Sequence, residues 1–107
     1  MAHANKTELE TEIGDLAALA AAAILERIRA GKIGKPNNWK VYGGMMLRCL
    51  TECRLEKEFD LDFRATVMDQ APELLKTLYP GIPDELVSEL LDEVVTTVDS
   101  ITKRFVN

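Results

Sequence analysis

Three features of the sequence predict an all-α fold, a compact bundle of four to five helices with a long C-terminal amphipathic helix. Apolar residues recur every three to four positions through the last quarter of the chain, and an alanine-rich stretch near the N-terminus carries the same spacing. No segment alternates apolar with polar residues as a half-buried strand would, and there is no internal repeat. The 107 residues form one expected domain, large enough to bury a single core without disulfides or a structural metal, with residues 1–7 a disordered tail.

The first helix is expected to start near Glu8, because Thr7 and Glu10 have the spacing of a capping box. Leu9, Ile13, Leu16, Ala20, Ile24 and Ile28 form its buried stripe, and Gly31 follows Arg27 and Arg29 as a stop. Ala17, Ala18 and Ala20 to Ala23 leave room for a close backbone, although alanine's helix propensity alone accounts for them. Gly14 inside this helix costs about 1 kcal/mol relative to alanine.

The segment GKIGKPNN reads as a loop, and Asn37 or Asn38 can cap a second helix. Trp39, Tyr42, Met45 or Met46, Cys49 and Cys53 share one face of it, and adjacent Gly43 and Gly44 either delay the helix to about Gly44 or, the preferred reading, allow close packing against the alanine surface. Asp60 or Asp62 starts a third helix through Phe63, Val67 and Met68, which is expected to break or kink at Ala71, the residue before Pro72. Pro72, Leu74, Leu75 and Leu78 then belong to a short fourth helix ended by the turn Tyr79, Pro80, Gly81.

The last helix is expected over about residues 83–105. Val87, Leu91, Val94, Val98, Ile101 and Phe105 form its stripe, widened by Leu86, Leu90 and Val95. Glu85, Glu89, Asp92, Glu93 and Asp99 fall on the opposite side, and Pro83 and the acids of the first turn suit a helix start. The stripe has two readings, core of the same chain or a seam against a partner or a second copy.

Net charge is −5, unevenly spread. Residues 27–57 carry eight Lys or Arg against two acids, whereas residues 58–102 carry eleven acids against two bases. Such asymmetry can steer partners or join subunits. The longest apolar run, Leu16 to Leu25, is about half of a bilayer span, and the N-terminus lacks a basic-then-apolar signal pattern, so a cytoplasmic protein that does not enter the membrane is expected.

The inventory for catalysis is thin: one histidine, His3, lies in the tail, and Cys49 sits mid-helix on an apolar face with Arg48 as its only adjacent cation. Cys49 and Cys53 could supply two metal ligands where structural zinc needs four, and Glu89, Asp92 and Glu93 lack the histidine of carboxylate di-metal bundles, so no metal or cofactor is expected. The expected function is a non-enzymatic protein–protein interaction module, a regulator, adaptor or assembly factor, self-associating as a homodimer through the stripe Val87 to Phe105. The alternative is a nucleic-acid-binding regulator using residues 27–48, with Lys32, Lys35, Trp39, Lys40 and Arg48 as phosphate and base contacts.

Overall fold

A computed structural model describes residues 5–30, 43–52 and 61–106. They form four helices and contain no strand: α1 Lys6–Arg29, α2 over residues 43–52, α3 Phe63–Leu78 and α4 Asp84–Val106.

α1 begins earlier than the capping box predicts. Asn5 is the N-cap; its side-chain oxygen accepts from the Glu8 N–H at 2.8 Å, and Leu9 N–H donates to the Asn5 carbonyl. Asn5 is as good a cap as threonine, and with Glu8 three residues on it has its own capping pair. Lys6 and Thr7 thus lie in the first turn of α1. Along α1, Leu9, Ile13, Leu16 and Ala20 are buried as expected, but Ile28 is 51% exposed and Leu25 is buried instead. The helix closes at Ala30, whose N–H donates to the Glu26 carbonyl; Gly31 lies outside the described residues.

α3 is one helix of 16 residues capped by Asp62, which accepts from the Ala65 N–H. The expected break at Ala71 does not occur, and Pro72 sits inside the helix. Proline in a helix interior costs about 3 kcal/mol through a lost hydrogen bond and a steric clash. Packing opposes that cost, since Val67, Ala71 and Leu75 on either side of Pro72 are all fully buried.

Among α1, α3 and α4 the contact between α1 and α3 is the most extensive, and α4 packs on both. Gly14 explains how close it is. A Cβ built at Gly14 would collide with the Gln70 Cβ and lie 3.1 Å from the Gln70 carbonyl carbon, inside the 3.5–4.0 Å of normal carbon contact. Ala17, Ala18 and Ala21, fully buried and on the same side of α1 as Gly14 by helical spacing, continue this small-residue face. The alanines are thus a packing surface as well as helix formers. Gly44, by contrast, has nothing near its Cβ position, so it makes no close contact with that surface.

Gly14 lies by Gln70 while Arg29 lies by Tyr79, so α1 and α3 run in the same direction. α4 runs back along α3: Lys76 pairs with Asp84 beside the turn, and Arg64 pairs with Asp92 further along. The turn between them needs Gly81, whose φ of 86° is a left-handed conformation that glycine adopts without strain. Pro83 precedes α4 and its carbonyl accepts from the Val87 N–H. Val87, Leu90, Leu91, Val94, Val95 and Val98 of α4 are buried in the same core as α1 and α3, and Met46 and Cys49 of α2 join it. Arg48 ties α2 to Glu12 of α1 at 2.8 Å.

Replacing Gly14 by alanine gains about 1 kcal/mol of helix propensity but meets Gln70 Cβ and backbone, an overpacking that costs about 1–3 kcal/mol. Gly14→Ala is expected to be destabilising and Gly14→Val more so, measured by urea unfolding; a stabilised Gly14→Ala would contradict the close α1–α3 contact.

Candidate functional site

Of the two readings of the α4 stripe, the core of the same chain accounts for its described buried residues. Val87, Leu91, Val94 and Val98 are buried in the intramolecular core and Ile101 is half-buried against it, while the Phe105 side chain lies outside the described residues. On the other side of α4, Glu85, Glu89, Asp92, Glu93 and Asp99 are exposed.

Of the five expected anion contacts, only Arg48 is described; Lys32, Lys35, Trp39 and Lys40, like Tyr42, are outside the described residues. Arg48 lies against Glu12, and Arg29 stacks on Tyr79, 5.0 Å from the ring centroid. Arg48 thus already has an intramolecular carboxylate beside it, and Arg29 an aromatic face. Glu52 also lies near Arg48; its carboxyl is pushed above the usual range by partial burial and by Glu12, with Arg48 acting in the opposite direction.

Cys49 is a buried free thiol. Burial pushes its pKa up to about 11, helped by Glu52 and opposed by Arg48, the opposite of what a nucleophile needs. Cys53 lies outside the described residues, among which no group of three or more His, Cys, Asp or Glu is placed to hold a metal ion.

Two features are absent from the sequence reading. At one end of the bundle the Tyr79 hydroxyl donates to Glu26 while its ring carries Arg29, which fastens the end of α1 to the end of α3. That hydrogen bond, with burial and the Glu26 charge, holds the phenol above its ordinary pKa, and Arg29 opposes the shift. The second feature is a groove of about 580 Å³ between α3 and α4, lined by Met68, Pro72, Ser88, Glu89, Leu91 and Asp92. A helix break at Ala71 would have put Met68 and Pro72 on separate elements, which hides the groove from sequence reasoning. Pro72 inside a helical apolar pattern was the signal available.

Large apolar side chains are also left on the surface: Leu47 is 63% exposed, Leu78 44% and Leu19 42%. No helix among the described residues is long and apolar enough to cross a membrane.

With Cys53 replaced by serine, Cys49 is expected to react with a disulfide reagent at pH 8 on the order of a hundredfold more slowly in the native protein than in urea. Because the folded-state pKa lies above the unfolded one, the native state holds the proton more tightly, and this contribution to stability is lost as pH rises from about 9 towards 11. Urea unfolding across that window checks the sign, with Cys49→Ala losing less stability than the parent.

Compared with protein-family models, curated proteins and solved structures, the chain gives no match.

Proposed function

We propose that this chain is a non-enzymatic helical module of the cytoplasm that works by protein–protein contact, as a regulator, adaptor or assembly factor, and that it associates with itself. The observation that carries the reading is the apolar surface left after the core has closed, above all Leu47 on α2 at 63% exposure. Burying one such side chain contributes about 1.5–3 kcal/mol, a large part of what a modest interface requires. The charge asymmetry between residues 27–57 and 58–102 supports the same reading, since opposed patches orient two proteins before the apolar contact forms. The partner-facing surface in this proposal is no longer the stripe of α4, whose described residues Val87 to Val98 serve the core.

Light scattering at low and high salt, with and without a nucleic-acid mixture, tests it. A dimer insensitive to both additions is expected, and Leu47→Glu should shift it to monomer at least about tenfold in dissociation constant while changing folding stability by no more than about 0.5 kcal/mol. A monomer that gains mass only with nucleic acid at low salt would overturn the reading in favour of a nucleic-acid contact through residues 27–48.

A further inference from the structure

We propose that the groove between α3 and α4 is a docking site for a short, basic, amphipathic segment of a protein partner. This rests on the interaction-module reading and names its site and the chemistry of its partner. Leu91 is fully buried at the floor, and half-buried Met68 and Pro72 form the α3 wall. A methionine wall adapts to differently shaped apolar side chains. The opposite lip is polar and exposed, made by Ser88, Glu89 and Asp92 of α4.

The half-buried surface of Met68 and Pro72 selects an apolar side chain and the lip selects its charge. Residues 61–103 hold nine acids against Arg64, Lys76 and Lys103, so the field over the groove is negative and an acidic or anionic partner is repelled. The lip already shows how it takes a guanidinium, because Arg64 donates to Asp92 at 2.6 Å. That bond, with the charges of Asp92, Asp99 and Asp62, holds Arg64 more firmly in its charged form. Glu89, on the same lip, is placed to do likewise for a lysine or arginine of the partner. A polycation without apolar side chains would leave Met68 and Pro72 uncovered, which is why the partner must be amphipathic.

The test titrates the full chain, labelled with nitrogen-15, with a short synthetic peptide of leucine and lysine at helical spacing. Oligolysine and a leucine–glutamate peptide of equal length are the controls. The expected result is a set of shifts centred on Met68, Ser88, Glu89 and Leu91 for the leucine–lysine peptide. Glu89→Lys, which reverses the lip, and Ser88→Trp, which fills the groove, should each weaken binding by at least about tenfold. Both positions are exposed, and Glu89→Gln, a milder change, should fall between parent and Glu89→Lys. Equal binding by oligolysine, equal binding to Glu89→Lys, or shifts confined to the surface around Leu47 would overturn the groove while leaving the module reading intact. Loss of self-association in Glu89→Lys without peptide would also overturn it, by showing that a second copy fills the groove. Failure of the module itself is read separately, from the solution mass of the parent.

Discussion

The arrangement of the bundle depends on the distance between α1 and α3, and that distance depends on Gly14. A glycine in a helix interior is a local cost, and here it removes the Cβ that would otherwise meet Gln70 and Ala71. With the two backbones this close, the fully buried Ala17, Ala18, Ala21 and Ala71 leave little space between them for larger side chains. The same contact buries the middle of α3, which accounts for an unbroken helix through Pro72. Tyr79 holds the far end of the pair, by its hydrogen bond to Glu26 and its stacking under Arg29.

Two parallel helices held this tightly present a broad surface, and α4 lies across it. Its valines and leucines are consumed there, leaving a carboxylate-rich side outward. What remains on the surface of the described residues is the acid-lipped groove beside Pro72 and the exposed leucines. The exposed ion pairs Arg48–Glu12, Arg64–Asp92 and Lys76–Asp84 add little stability, because water screens them, but they fix which helices lie side by side.

Helix periodicity made much of the fold legible. Leu9, Ile13, Leu16 and Ala20, and Val87 through Val98, all occupy the core that their spacing implies. Periodicity fails where a local rule meets a tertiary one. Steric exclusion before proline argued for a break at Ala71, and burial between helices outweighed it. Ile28 kept the register of its stripe yet lies beyond the reach of the core, near the end of α1, while Leu25 took the buried place. The cap at Asn5 was missed because two capping pairs overlap within one turn, and sequence alone does not rank them. The candidate site was less legible than the fold. A stripe at helical spacing reads equally as core or seam until a second surface is seen to cover it, and the groove exists only because Met68 and Pro72 share one helix.

The central point is that the stripe of α4 is covered by α1 and α3 of its own chain. Native-state hydrogen exchange of the amides from Leu91 to Val98, followed over a hundredfold dilution on the order of micromolar concentrations, tests it most directly. Intramolecular packing predicts protection that does not change with dilution. Protection that falls as the protein is diluted would contradict it, and would return the stripe to an interface between two chains.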